Sequence, residues 1–158
     1  MDKKPITPEG QKRLREEVEF LKNIKRQDII DAISEARAHG DLKENAEYHA
    51  AREEQGLNEA RIRELEEALS LATVVEYKNI EATDIVVFGA TVSIRDIDSG
   101  KQLTYQIVGE SEANIESNTI SFTTPIARAL IKKSIGEIVE VVTPGGLKEY
   151  EIIQIKII

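Results

Sequence analysis

Apolar residues recur at steps of four and three along the first forty positions, which is the spacing of a coiled-coil seam. These seam positions are Leu14, Val18, Leu21, Ile29, Ile33 and Ala36. The eight residues from Leu21 to Ile29 break the heptad as a four-residue insertion would, so we expect the supercoil to unwind locally. The pattern predicts one long helix whose apolar side faces a partner helix.

Helix-end signals bound this helix and predict a second one. Thr7 is placed to cap the first helix, Pro8 occupies its first position, and Gly40 ends it. A second helix is predicted from about Asn45 to Ala72. Its seam positions are Ile62, Leu65, Leu69 and Ala72. Each helix would measure roughly 45 Å, because about 30 residues rise by about 1.5 Å each. Two such helices with a short connection predict an antiparallel hairpin.

The period of the apolar pattern changes after Tyr77 from helical to strand-like. Strands are predicted at residues 85–88, 90–94, 103–107, 120–122, 138–142 and 150–157. Thr124 and Pro125 begin a short helix that we expect to continue to about Lys132. The predicted fold class is α+β. It combines an N-terminal antiparallel coiled-coil helical hairpin over 1–78, with its tip at about 39–44, and a C-terminal antiparallel-sheet domain with a short helix over 79–158.

Composition and charge narrow the class of protein. The 158 residues include no cysteine, which excludes disulfides and thiolate metal sites. The net charge is −8, and residues 1–78 (14 basic, 18 acidic) and 79–158 (7 basic, 11 acidic) each carry −4. Neither half is therefore a basic module of the kind that grips duplex DNA. The sequence has no signal-peptide pattern and no apolar run of about 20 residues, so we expect a soluble, cytoplasmic protein.

The connection between the two helices holds a pair of carboxylates, Asp41 and Glu44, three residues apart. One interpretation is structural, because this is the spacing of a capping box with Asp41 in place of the usual Ser or Thr. Acidic side chains also suit the positive end of a helix dipole. Spacing alone favours this interpretation.

The other interpretation of the carboxylate pair is a metal site. Mg²⁺ prefers oxygen ligands and commonly binds through one or two carboxylates, with water and substrate phosphates completing its shell. Asp41 and Glu44 would form a weak half-site that becomes useful at a partner already holding a metal. Two metals about 4 Å apart can activate a water and stabilise the leaving oxygen in phosphodiester hydrolysis.

Basic residues lie near the same connection: Arg37, His39, Lys43 and Arg52. They are either ordinary solvated helix charge or a small patch that guides a single nucleic-acid strand by its phosphates. A zinc site at His39 and His49 is disfavoured, because no cysteine and no matched histidine spacing supports it. The remaining sequence holds no nucleophile–base arrangement, P-loop or dinucleotide-binding glycines, so it is not equipped as a self-sufficient enzyme.

The sequence from Ala36 to Glu53 closely resembles the tip of the bacterial Gre transcript cleavage factors. The resemblance continues in the same order through residues 88–90, 107–109, 121–130 and 143–146 and covers essentially the whole chain. Arg37 and Arg52 match the family's small basic patch, whose compactness points to the GreA branch rather than the GreB branch.

The resemblance implies a partner and a reaction. Gre factors bind bacterial RNA polymerase that has backtracked, so that the RNA 3′ end is extruded into the secondary channel. The C-terminal domain, FKBP-like in fold, is expected to dock on a coiled coil of the β′ subunit, while the hairpin reaches the polymerase active site. Cleavage of the extruded RNA then creates a new 3′ end, and elongation resumes. The chain is expected to be an accessory factor rather than an enzyme.

The resemblance also implies roles for the tip residues. Asp41 and Glu44 correspond to catalytic carboxylates that act in trans and hold a Mg²⁺ shared with the polymerase. No cofactor is expected in the free protein. Arg37 and Arg52 correspond to residues that contact the extruded nascent RNA.

In the C-terminal domain the resemblance assigns Ser121, Thr123 and Pro125 to polymerase docking, although Thr123 replaces the acidic or amide residue typical of the family. The FKBP-like fold does not imply prolyl isomerase activity, because fold does not carry function. Two other functions stay open. One is a polymerase antagonist that occupies the secondary channel without promoting cleavage, and the other is a coiled-coil chaperone or scaffold.

Overall fold

The computed structural model describes residues 3–41, 45–79 and 84–157. Their contacts form two compact units: a hairpin unit, Lys12–Leu71, and a sheet unit, which joins the residues up to Gln11 to those from Ala72 onward. This grouping differs from the expected division at residue 78. The reason is that strand β1, Lys4–Ile6, pairs in parallel with β2, Ala72–Val74. Three-residue strands are too short to show an alternating pattern in the sequence.

The helices of the structure follow the predicted hairpin closely. They are α1, Pro8–Phe20; a π-helical segment, Leu21–Lys25; α2, Arg26–Ala38; and α3, Ala46–Leu71. Thr7 caps α1 as predicted, because its hydroxyl oxygen accepts a hydrogen bond from the Gly10 amide at 3.0 Å. Gly40 follows α2 with φ +116°, a conformation that favours glycine.

The phase break in the coiled-coil seam has a different structure from the one expected. The spacing from Leu21 to Ile29 exceeds a heptad by one residue, and both side chains are nevertheless buried. The π-helical segment takes up this extra residue, since the Arg26 amide bonds to the Leu21 carbonyl five residues earlier. The phase break is therefore accommodated in the backbone by a π-helical turn that was not predicted, and the expected local unwinding of the supercoil stays a prediction.

The hairpin helices pack antiparallel through an aliphatic seam. Ile29 and Ile33 of α2 meet Ala51 of α3, with Tyr48 packed against the same cluster. Ion pairs between the two sides lie in and beside the π-helical segment: Arg61–Glu17, Lys22–Glu66 and a bidentate Arg26–Glu59. These pairs are partly exposed, so each contributes little to stability. The seam of Ile, Leu and Ala residues accounts for most of the pairing.

The sheet unit contains a five-stranded sheet and one short helix. The strands are β3, Thr91–Asp96; β4, Gln102–Val108; β5, Thr119–Ser121; β6, Ile138–Thr143; and β7, Gly146–Lys156, in the order β5-β4-β3-β7-β6. Helix α4 is Pro125–Leu130. The α+β fold class is confirmed, with one correction: β4 and β5 pair in parallel, so the sheet is mixed. Residues 109–118 carry the chain back between them, as parallel pairing requires.

Two predicted elements of the sheet unit differ from the structure. The predicted strand at 85–88 is wrong, because Ile85 forms only an isolated bridge with Ser134. Val86 is fully buried but bonds to Lys132 and Lys133 rather than to the sheet. The predicted helix end at about Lys132 is also late: α4 ends at Leu130, and Lys132 takes a left-handed φ of 73°.

The core of the sheet unit lies between the sheet and α4. Alternating residues of β3 and β7, such as Val92, Ile94 and Ile152, are almost completely buried, as are Ala127 and Leu130 of α4. This burial of aliphatic side chains supplies the main stabilising term of the unit. Among the described residues, no helix is long and apolar enough to cross a membrane.

A buried carboxylate holds the first turn of α1 within the sheet unit. Glu112 is only 7% exposed and accepts hydrogen bonds from the backbone amides of Thr7 and Gly109, each at 2.8 Å. The Thr7 hydroxyl donates to the other carboxylate oxygen. Both Gly10 and Gly109 leave room for these contacts, because a Cβ at Gly10 would overlap the Glu112 side chain and one at Gly109 would overlap the Pro5 carbonyl oxygen. Buried carboxylates are tolerated when they are hydrogen-bonded in this way.

Candidate functional site at the hairpin tip

The N-cap of α3 is Asn45. Its side-chain oxygen accepts a hydrogen bond from the Tyr48 amide at 3.0 Å, and the helix begins at Ala46. The capping interpretation of Asp41 is therefore wrong, because Asp41 lies four residues before the residue that caps the helix. Glu44, the other member of the predicted pair, lies outside the described residues, as does Lys43. Capping of α3 thus does not explain the acidic residue at position 41.

Asn45 makes a second hydrogen bond across the hairpin. Its side-chain nitrogen donates to the Ala36 carbonyl of α2 at 2.6 Å. The same carbonyl accepts the amide of His39 at 3.1 Å, where α2 ends. One amide side chain therefore joins the end of α2 to the beginning of α3.

Asp41 lies in non-helical backbone directly after Gly40, and its side chain is exposed. It lines an open depression of about 500 Å³ together with His39, Asn45, Ala46 and Glu47. An exposed carboxylate is accessible to a hydrated cation. Across residues 3–41, 45–79 and 84–157, no group of three or more potential metal-ligating side chains comes together.

The two predicted RNA-contact residues are both exposed, on different helices of the hairpin unit. The Arg37 guanidinium lies 5.9 Å from the centre of the Tyr48 ring, within the range of a cation–π interaction. Arg52 follows Tyr48 by one helical turn and therefore shares its side of α3. The Tyr48 ring packs on the seam, so it gives Arg37 a rigid support.

The predicted docking residues form a tight turn between β5 and α4. The hydroxyls of Ser121 and Thr123 are 2.7 Å apart, and the Thr123 amide donates to Ser121 Oγ at 3.2 Å. Thr124 caps α4 by accepting the Ala127 amide at 3.3 Å, which confirms the predicted helix start at Pro125. Thr123 and Pro125 are exposed. The structure thus presents these residues together on one ordered turn.

Sequence reasoning missed the bridging role of Asn45 and the support that Tyr48 gives to Arg37. A signal for the first was present, since Asn is among the preferred N-cap residues and stands directly before the helical pattern. The spacing of Asp41 and Glu44 instead favoured Asp41 as the N-cap. No local signal marks the second contact, because Arg37 and Tyr48 meet only when the hairpin closes.

Sequence profiles and known proteins match the chain over nearly its whole length. Residues 4–74 match a sequence profile described as "Transcription elongation factor, N-terminal", and residues 81–157 match "Transcription elongation factor, GreA/GreB, C-term". The transcription elongation factor GreA of Alkalilimnicola ehrlichii is 54% identical over 156 residues, covering 99% of both chains. That of Haemophilus ducreyi is 53% identical over 152 residues, covering 96% of both. The crystal structure of GreA factor homolog 1 (Gfh1) of Thermus thermophilus is 28% identical, covering 98% of this chain and 99% of that one, with a TM-score of 0.43.

These matches define the class of protein as a transcription elongation factor. The chain belongs to the GreA/GreB family. The resemblance noted in the sequence is confirmed, and the two relatives named above are GreA proteins, in agreement with the predicted branch.

Proposed function

We propose that this elongation factor binds backtracked bacterial RNA polymerase through its secondary channel and stimulates the Mg²⁺-dependent cleavage of the extruded RNA 3′ end. The observation that carries the proposal is the tip geometry. Asp41 is exposed beyond the end of α2, and Asn45 performs the capping that would otherwise explain an acid there. An exposed carboxylate that does not cap α3 fits a ligand for a cation supplied in a complex.

The donor chemistry at the tip fits Mg²⁺, because carboxylate oxygens are hard ligands of the kind that this ion selects. Asp41 and Glu44 would hold the ion only in the complex with polymerase, whose own site would complete its coordination. When bound, Mg²⁺ would supply activation of the attacking water. The chain contributes the two carboxylates and their placement, so it acts as an accessory factor to the polymerase's hydrolytic site.

The remaining site residues have supporting roles in this proposal. Arg37 and Arg52 would neutralise phosphates of the extruded RNA and keep it beside the tip. The turn containing Ser121, Thr123 and Pro125 would contact the β′ coiled coil at the channel mouth. An ordered turn suits docking because little conformational entropy is lost on binding.

The test is RNA cleavage in a stalled, backtracked elongation complex. The wild-type protein with Mg²⁺ should release short 3′ fragments, and Asp41→Asn should reduce the release by about a hundredfold, which is the usual cost of losing a group that stabilises transition-state charge. Asp98→Asn is the matched control, because it makes the same change at an exposed turn of the sheet unit. Equal cleavage by wild type and Asp41→Asn would refute the role of Asp41.

The same assay separates the alternatives. Slower extension without fragment release would indicate a secondary-channel antagonist. No effect of the wild-type protein on either extension or cleavage would favour a chaperone or scaffold.

A further inference from the structure

We propose that Asn45 is a positioning residue for the tip carboxylate Asp41, acting by tying the end of α2 to the beginning of α3. Asp41 lies between these two helices in the chain, and Asn45 is bonded to both of them. This inference rests on the proposed function above and adds the device that places Asp41.

The two bonds of Asn45 use both halves of its amide. Helix ends leave backbone groups without partners, carbonyls at the C-terminus and amides at the N-terminus. The Asn45 nitrogen donates to the Ala36 carbonyl of α2, and its oxygen accepts the Tyr48 amide of α3. Asp and Ser cap helices about as well as Asn, but ionised Asp has no donor, and Ser has only the short hydroxyl that makes the cap. The second bond therefore gives a reason for Asn at this position that capping does not.

Both anchor points of the tie belong to the packed part of the hairpin. Ala36 is only 2% exposed, and Tyr48 packs against Ile29 and Ile33. The Arg37 contact with the Tyr48 ring reinforces the same junction. Two helix ends that are joined by a side-chain bond keep a fixed separation, so Asp41 between them samples fewer conformations. Catalytic groups need this restriction, because a misplacement of about 1 Å can cost about a hundredfold in rate.

The capping and tying roles can be separated by substitution. Asn45→Ser keeps an oxygen for the Tyr48 amide but replaces the separate amide nitrogen that reaches Ala36 by one shorter hydroxyl, which already serves the cap. Asn45→Ala removes both. Asn114→Ser is the matched control: Asn114 caps the short 3₁₀ helix Ile115–Ser117 in the sheet unit by accepting the Glu116 amide at 3.0 Å.

The first measurement is the maximal rate of fragment release and the factor concentration that gives half of it. We expect Asn45→Ser to lower the maximal rate by about tenfold or more, following the cost of misplacement. The half-saturating factor concentration should stay at the wild-type value, because the docking turn is untouched. The Mg²⁺ concentration needed for half-maximal cleavage should rise. The Tm of Asn45→Ser should match that of wild type, whereas the Tm of Asn45→Ala should fall. Asn114→Ser should match wild type in every kinetic measurement.

The second measurement does not depend on polymerase. The amide hydrogens of His39 and Gly40 lie at the end of α2 that Asn45 holds, and we expect them to exchange with solvent several times faster in Asn45→Ser than in wild type or Asn114→Ser. Wild-type maximal cleavage by Asn45→Ser would overturn the positioning role, and an unchanged rate of hydrogen exchange would overturn the tie itself. Failure of wild type to release RNA would instead refute the proposed function, while the hydrogen-exchange measurement would still decide the tie.

Discussion

The side-chain nitrogen of Asn58 on α3 donates a hydrogen bond to the backbone carbonyl of Leu21, the first residue of the π-helical segment, at 3.2 Å. The same carbonyl accepts the Arg26 amide in the π-helical bond. Next to Asn58, Glu59 binds the Arg26 side chain, so two consecutive residues of α3 contact the two ends of the widened turn. The extra residue in the π-helical segment is thereby held opposite Asn58 and Glu59 of α3.

Asn58→Leu should stabilise the hairpin. Asn58 is 3% exposed, and within the described residues its side-chain oxygen has no hydrogen-bond partner, which carries a desolvation cost. The Leu21 carbonyl keeps its bond to Arg26 after the substitution. We expect the free energy of unfolding in urea to rise by about 1 kcal/mol.

Leu57→Asn is the control for this change. It exchanges leucine and asparagine in the reverse direction at a neighbouring position that is 67% exposed. It should alter the free energy of unfolding by less than about 0.5 kcal/mol. A loss of stability in Asn58→Leu would mean that the bond to Leu21 outweighs the cost of the buried amide.

Glu112→Gln should destabilise the sheet unit. The carboxylate accepts from the Thr7 amide, the Thr7 hydroxyl and the Gly109 amide, and glutamine would turn an NH₂ group toward one of these donors. Charged buried hydrogen bonds make a larger contribution than neutral ones, so we expect a loss of about 2–3 kcal/mol in the free energy of unfolding.

Glu110→Gln provides the comparison for Glu112→Gln. Glu110 is exposed and pairs only loosely with Lys4 at 3.4 Å, so its loss should cost less than about 1 kcal/mol. Equal effects of the two substitutions in thermal or urea denaturation would contradict the structural role given to the buried carboxylate.

Much of the fold was predictable because it depends on sequence patterns among neighbouring residues. The seam from Leu14 to Ala36, the Thr7 cap and the Thr124–Pro125 helix start each depend on residues close in sequence. The π-helical segment could be predicted only in part. The excess residue shows in the spacing, but whether the backbone or the supercoil absorbs it depends on packing against α3.

The features that could not be predicted depend on residues distant in sequence. Glu112 reads as an ordinary surface acid until the fold brings Thr7 to it, 105 residues away in the chain. At the tip, the spacing of Asp41 and Glu44 matched a capping box, so Asp41 was a plausible N-cap. The actual cap, Asn45, makes a second hydrogen bond to Ala36 on the other helix. That bond depends on the folded hairpin, so local spacing does not reveal it.

Glu9→Gln should lower stability at neutral pH and lose this effect in acid. Burial raises the pKa of Glu9, but hydrogen bonds and charge from Lys78, at 2.6 Å, outweigh it and bring the pKa below its usual 4.5. A carboxyl with a lowered folded pKa stabilises the fold above its unfolded pKa, and this contribution disappears as pH falls through the folded value.

The difference between wild type and Glu9→Gln in urea unfolding should therefore be constant from about pH 7 to pH 5 and shrink below about pH 4.5. Glu16→Gln, at an exposed glutamate of α1 whose partner Lys12 is 4.0 Å away, should show a smaller difference at neutral pH. A difference for Glu9→Gln that grew as the pH was lowered would contradict the assignment.

Arg37→Gln and Arg52→Gln should each weaken the salt dependence of RNA cleavage. If both side chains neutralise phosphates of the extruded strand, each substitution should reduce the slope of log affinity against log salt by about 0.7, the value for one contact on a single strand. The measurement is the half-saturating factor concentration in the cleavage assay between low and physiological salt. Lys12→Gln removes an exposed charge of α1 far from the tip in sequence and should leave the slope unchanged. Because docking of the sheet unit is common to all variants, its own salt dependence cancels in the comparison. A slope that falls equally with Lys12→Gln would mean that net charge, rather than a patch formed by Arg37 and Arg52, governs the encounter with RNA.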